Sequence, residues 1–193
     1  MTPAGVLRWW PPIGLVAMVA LGLAVGGGST RVDDWFTRVG RTHDGLDRLL
    51  FFTQPLLLAV MLLAAVAVGV FRRRWRLAAV VALTPLVGVV AVRLLKRLFG
   101  REREGALAYP SGHVTVMVAV LGMVVLVLGA KVWMLTSAAV FALLGLAGQA
   151  LTYHYFTDTI GAALLASALV CLAARASGLD RCQPRCDLHH SNG

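Results

Sequence analysis

An all-α membrane protein, a polytopic bundle of six transmembrane helices, is the fold class this sequence predicts, and three observations predict it. Of its 193 residues 59% are apolar and only 14% charged, with a mean hydropathy of +0.78, whereas soluble domains carry about 25% charged residues. Charged residues fence off six uncharged windows, at 9–30, 49–71, 77–92, 105–130, 132–153 and 159–174. No sizeable stretch is low in apolar content, which excludes a long disordered polar segment within the bundle.

Each window can be justified as a span. A membrane helix needs about 20 mostly apolar residues, with a range of about 17 to 25. The two short windows, 77–92 and 159–174, must borrow their flanks, and Arg93 and Arg175 can snorkel to the interface. The first span follows Arg8 like the apolar part of a signal peptide, but five spans follow it without a convincing cleavage site, so it is read as retained. Gly22 and Gly26 within it have the small-residue spacing of closely packed membrane helices. Residues 1–175 form one domain, and 176–193 are expected to be a disordered cytoplasmic tail. Cys182, Cys186, His189 and His190 in that tail have a loose zinc-like spacing without the folded module that zinc sites use. Cys171 lies within a span and reads as a small apolar packer. With the tail in a reducing compartment, no disulfide is expected.

The formal charge of +9 comes from 18 Lys and Arg against 9 Asp and Glu. Counted by side, the basic residues tie at nine each: Arg8, Arg72, Arg73, Arg74, Arg76, Lys131, Arg175, Arg181 and Arg185 against Arg31, Arg38, Arg41, Arg48, Arg93, Lys96, Arg97, Arg101 and Arg103. If the last five serve an anionic ligand, the count becomes nine against four and places both termini in the cytoplasm. The segment 29–48 pairs its four Arg with Asp33, Asp34, Asp44 and Asp47 around Trp35 and Phe36. It reads as an interfacial segment, a short amphipathic helix acting as a passive connector rather than a lid.

Residues able to do chemistry concentrate at one side, in Lys96–Arg103, Tyr109–His113 and His154–Asp158. Pro110 breaks any preceding helix, Ser111 is a good N-cap, and Gly112 lets a ligand approach the unpaired N–H groups of a helix start. Such a start favours anions, although four residues alone describe an ordinary loop-to-helix junction equally well. Lys96, Arg97, Arg101 and Arg103 supply a point charge and planar forks, suited to phosphate oxygens or to lipid headgroups. His154 and Asp158 are four apart, so on a helical turn the carboxylate can orient the imidazole as a nucleophile or base. A structural hydrogen bond at a helix entrance has the same spacing.

Together these residues resemble the type 2 phosphatidic acid phosphatase superfamily of membrane lipid phosphatases. Lys96 and Arg103 match the spacing of its first motif, Pro110-Ser111-Gly112-His113 match its second, and His154 and Asp158 match the end of its third. Three departures stand out. Glu104 occupies a Pro position, only six residues separate Arg103 from Pro110, and Ala147 and Gly148 occupy the third motif's Ser and Arg. The resemblance implies hydrolysis of a phosphomonoester or diphosphate of a phospholipid or polyprenyl lipid at the extracytoplasmic face of the plasma (inner) membrane, without metal or other cofactor. It implies His154 as nucleophile giving a phosphohistidine, Asp158 orienting it, and His113 protonating the leaving oxygen. Lys96, Arg103, Ser111 and the Gly112 N–H would bind the phosphate, with Arg101, Arg97 or Gln149 as substitutes for the missing Arg. The implied partners are the lipid phosphate substrate and membrane lipids, with no nucleic acid. Two other readings use the same residues: a lipid-phosphate binder without turnover, and a zinc enzyme with His113, His154 and Asp158 as ligands, against which the crowding of Lys96 and Arg103 argues. A transporter would need a charged or broken span interior, which no window has.

Overall fold

A computed structural model describes residues 3–43 and 45–178. The tail residues Cys182, Cys186, His189 and His190, and Asp44, lie outside the described residues. The described chain is almost entirely helical, in the order α1 (Pro3–Val25), α2 (Arg31–Thr42), a 3₁₀ segment (Leu46–Thr53), α3 (Pro55–Phe71), α4 (Trp75–Phe99), a two-stranded hairpin of β1 (Glu102–Arg103) and β2 (Ala106–Leu107), α5 (Gly112–Leu128), α6 (Val132–Leu151) and α7 (Phe156–Ala176). All six apolar windows are represented by a helix. Five stretches are long and apolar enough to cross a membrane: Leu7–Val25, Leu46–Phe71, Trp75–Phe99, Val132–Leu151 and Phe156–Ala176. The sixth, α5, has 17 residues, at the lower end of the spanning range of about 17 to 25.

The difference at α5 has a local cause. The uncharged window 105–130 is longer than the helix within it: Pro110 and Ser111 place the helix start near His113, and the seven window residues before Gly112 form the return of a hairpin and the approach to Ser111. Glu104 (φ 52°) and Gly105 (φ 79°) are the two central residues of the hairpin turn, and two successive positive φ values define a type I′ turn. Proline, locked near φ −65°, cannot occupy position 104 in that turn. The short connection and the Glu in place of Pro are therefore one feature, a two-residue hairpin.

Helix α5 sits at the centre, packed by α3, α4, α6 and α7, while α1 lies along α7. Val114, Met117, Val120 and Leu121 pack with Leu58 of α3 and Ala162 of α7, and Met123 and Val127 continue this core toward Ala65, Leu77 and Val81. A helix apolar all round can face neighbouring helices on every side, and α5 is the one that does. The outer helices expose large apolar residues instead, among them Val16, Leu63, Leu83, Leu94 and Leu143, as a lipid-facing surface requires. Gly22 lets α1 approach the Phe99 and Tyr109 rings, which a Cβ there would meet at 2.5 and 2.7 Å. Gly26 lies just beyond the helix, where a Cβ would meet none of the described residues within 4 Å, so of these two glycines it is Gly22 that serves close packing.

One end of the bundle gathers the α1 exit, α2, the 3₁₀ segment, the ends of α4 and α6, and the starts of α5 and α7. Cross-links between them include Arg103 Nη2 to the Thr152 carbonyl (3.1 Å) and Gln149 Nε2 to Thr53 Oγ1 (2.8 Å). Arg72 marks the opposite end, donating to the Val127 carbonyl.

Candidate active site

The site is assembled from three chain turns at that end. Gly100, in the left-handed conformation at φ 60°, ends α4, as glycine commonly does at helix C-termini. The chain then runs through Arg101 and the hairpin to Ser111, which caps α5: its Oγ accepts from the Val114 N–H, and its own N–H donates to the Asp158 carbonyl (3.2 Å). That last bond ties the start of α5 to the start of α7. It thereby fixes His113, in the first turn of α5, relative to His154, in the turn before α7. Their ring centroids lie 6.5 Å apart.

Between these rings and α4 lies a cleft of about 390 Å³, bordered on its polar side by Thr53, Arg93, Lys96, Gly112, His113 and His154 and on its apolar side by Pro55, Leu58, Val89, Val92 and Val116. Arg93 and Lys96 are three apart and share a helix face. Lys96 Nζ donates one bond to the Leu107 carbonyl (2.6 Å), which leaves two of its three donors. An adjoining cavity of about 190 Å³ shares Pro55, Leu58, Val89 and Val116 and reaches Leu62, Pro85 and Val120 along α3, α4 and α5.

Asp158 faces His154 from the first turn of α7. Its Oδ2 lies 3.7 Å from His154 Nδ1, within ion-pair range but too long for a hydrogen bond, and Nδ1 has no hydrogen-bond partner among the described residues. The geometry leaves Nε2 as the ring nitrogen away from the carboxylate. Asp158 is otherwise fully engaged, with Oδ2 accepting from the Tyr155 N–H (3.0 Å) and Oδ1 from Arg101 Nη1 (2.6 Å).

The structure thus brings His113, His154, Asp158, Lys96 and Gly112 together, with Arg93 of the same basic cluster lining the cleft. Ser111 is buried as the helix cap beside the cleft rather than on its wall. Arg103 stacks over the Tyr155 ring at 5.0 Å, and its buried Nη1 has no hydrogen-bond partner among the described residues. Arg97 is exposed.

Arg101 corrects the expectation that it binds phosphate. It is 1% exposed and points into the protein. Nη1 donates to Thr157 Oγ1 and Asp158 Oδ1, and Nη2 to the Gly28 carbonyl and Asp33 Oδ2, which uses all four terminal hydrogens. The passive role expected of segment 29–48 is revised with it. Helix α2 is amphipathic as expected, but Asp33 is completely buried, linked to Arg101 at 3.0 Å and to the Thr157 N–H at 2.9 Å. Burial by itself would raise the Asp33 carboxyl's pKa, but hydrogen bonds from Thr157 and Thr30 outweigh it and hold the group below its ordinary value. Composition hides this role; the one signal was Thr30-Arg31-Val32-Asp33, a capping-box pattern that the structure realises in full.

Gly148 is explained by packing. A Cβ there would meet the Leu49 carbonyl carbon, Cβ and oxygen at 2.8, 2.8 and 2.9 Å. Helix α6 touches the 3₁₀ segment backbone at this point, so no side chain fits where the resemblance has arginine. Gln149 does not replace it: its Nε2 donates to Thr53, and Oε1 is buried without a partner among the described residues.

Compared with known proteins, the chain finds no match among family models, curated proteins or solved structures.

Proposed function

We propose that the protein is a six-span, metal-independent phosphatase of lipid phosphates, with both termini cytoplasmic and its site at the extracytoplasmic membrane face. The observation that carries this reading is the cleft itself. Two histidines face each other across it, Arg93 and Lys96 flank it, and its apolar wall continues along α3, α4 and α5. A charged phosphate beside a hydrocarbon channel is the chemistry of an amphiphile at the interface.

In this mechanism His154 Nε2 attacks phosphorus, the P–O bond to the lipid breaks as the P–N bond forms, and His113 donates its proton to the leaving oxygen. Water then attacks the phosphohistidine, with neutral His113 taking its proton, and releases inorganic phosphate and free His154. Lys96, Arg93 and the Gly112 N–H hold the equatorial oxygens. Phosphoryl transfer asks a protein mainly for such positioning and charge stabilisation. Arg93 replaces the cation for which Gly148 leaves no room. Loss of one charge-stabilising donor costs about 10² to 10³ in rate, small against the enhancements of up to about 10²¹ reached for phosphate monoesters.

The test is phosphate release by the purified protein in EDTA from phosphatidic acid, phosphatidylglycerol phosphate and polyprenyl mono- and diphosphates. Release from at least one of them, abolished by His154→Ala and accompanied by a trapped adduct on His154, is expected. No release from any of them, or release indifferent to His154→Ala, refutes the reading. Saturable binding of a lipid phosphate without an adduct would assign the cleft to a binding protein instead.

A further inference from the structure

We propose that Asp33 is a positioning residue for His154, acting through Arg101 and Asp158, so that helix α2 is part of the catalytic apparatus. The inference rests on His154 being the reactive imidazole of the preceding section, and on three buried charges in line. Asp33 Oδ2 meets Arg101 Nη2 at 3.0 Å, and Arg101 Nη1 meets Asp158 Oδ1 at 2.6 Å, all three side chains being at most 1% exposed. Asp158 Oδ2 then faces His154 Nδ1.

The charge count gives the arrangement its purpose. Among the described residues, the charged and titratable groups beside His154 or lining its cleft are Asp158 from α7, Tyr155 before it with Arg101 and Arg103 stacked over its ring, His113 from α5, and Lys96 and Arg93 from α4, and the 3₁₀ segment lines the cleft with uncharged Thr53. If Arg101 paired with Asp158 alone, the two would cancel, and the imidazole would face a wholly cationic surround at the moment it gains positive charge. Asp33 occupies the other half of the guanidinium and leaves the buried triad with one net negative charge, presented to His154 by Asp158. Thr157 locks the geometry: its hydroxyl accepts from Arg101 and donates to Asp33, and its N–H donates to Asp33 Oδ1. Arginine can serve two carboxylates at once because its planar fork presents paired donors along separate edges.

Two substitutions of opposite sign test this. The readout is the rate at which diethylpyrocarbonate carbethoxylates His154 between pH 5 and 8, resolved from the other histidines by peptide mass spectrometry, since only the neutral imidazole reacts. Asp33→Asn should raise the rate on the acid side about three- to ten-fold, as loss of a nearby opposite charge does. Arg101→Gln, which leaves two carboxylates unopposed, should lower it. The double variant should return close to wild type, and Asp33→Glu should match wild type. Equal rates in all variants, or a double variant departing further than either single one, overturns the proposal. If Asp33→Asn fails to fold, Arg101→Gln against the double variant carries the same contrast. Phosphate release is followed in parallel and separates the two readings. If wild type releases no phosphate while the carbethoxylation pattern holds, the phosphatase reading falls and the positioning role stands. If release requires His154 but the rates do not move, the positioning role falls.

Discussion

Gly148 offers the most direct test of the packing that shapes the site. Replacing it with alanine adds one methyl group, which would lie 2.8–2.9 Å from three Leu49 atoms, two of them backbone. Carbon atoms at optimal contact are about 3.5–4.0 Å apart, so α6 and the 3₁₀ segment must separate by more than half an ångström. Overpacking of this kind costs about 1–3 kcal/mol, while alanine recovers about 1 kcal/mol of helix propensity over glycine. Two of the three close atoms are backbone and cannot yield like the end of a side chain, so the upper part of that range, about 2–3 kcal/mol, applies, and the expected net loss for Gly148→Ala is about 1–2 kcal/mol. Gly88→Ala is the control: it gains the same propensity, but its Cβ would meet only the Thr115 methyl at 3.3 Å and Leu169 Cδ1 at 3.6 Å, so it should be near neutral. Reversible unfolding in mixed micelles by SDS titration, followed by circular dichroism, reads both. A Gly148→Ala protein as stable as the Gly88→Ala control would refute the reasoning. Its extension to function is that Gly148→Arg, which nominally restores the third motif, lowers phosphate release, because the arginine displaces the segment carrying Thr53. A gain in release would show that position 148 faces the cleft.

Two further predictions concern the hairpin and the triad. Glu104→Pro should lose more than about 1 kcal/mol of stability, since position 104 sits at φ 52° and proline is confined near −65°, whereas Glu104→Gly should be neutral or stabilising; melting temperatures of the two variants check the sign. Asp33 has a folded-state pKa below its ordinary value of 3.8, so its contribution to stability is present above that value and is lost as pH falls through the lower folded value. Asp33→Asn should therefore flatten the fall in melting temperature below about pH 4, and an unchanged acid limb would refute the assignment.

The positions of the helices were legible because each depends on a local property. Apolar windows between charges identified every long helix, and Pro110 with Ser111 marked the start of α5 to the residue. The hairpin at 102–107 was missed because Glu104 is a poor turn signal and the surrounding residues are apolar enough to extend the window. At the site, His113, His154, Asp158 and Lys96 were readable from residue type and spacing, and they do converge. Arg101 was misread because spacing along a chain does not say which way a side chain turns. Gln149 was a candidate for the same reason, and its amide proved to be bound to Thr53.

The sequence by itself determined that this chain is helical with stretches apolar enough to cross a membrane, and which short segments hold the polar side chains that gather at one end, because hydropathy and helix signals act over a few residues and need no partner. Only the tertiary structure decided the identity of the cations in the cleft, the burial of Asp33 against Arg101, and the exclusion of any side chain at position 148. These depend on groups such as Asp33 and Thr157, or Gly148 and Leu49, that lie about a hundred residues apart in sequence. Distances between such groups are set by how whole helices pack, a property of the folded bundle and not of any stretch of chain.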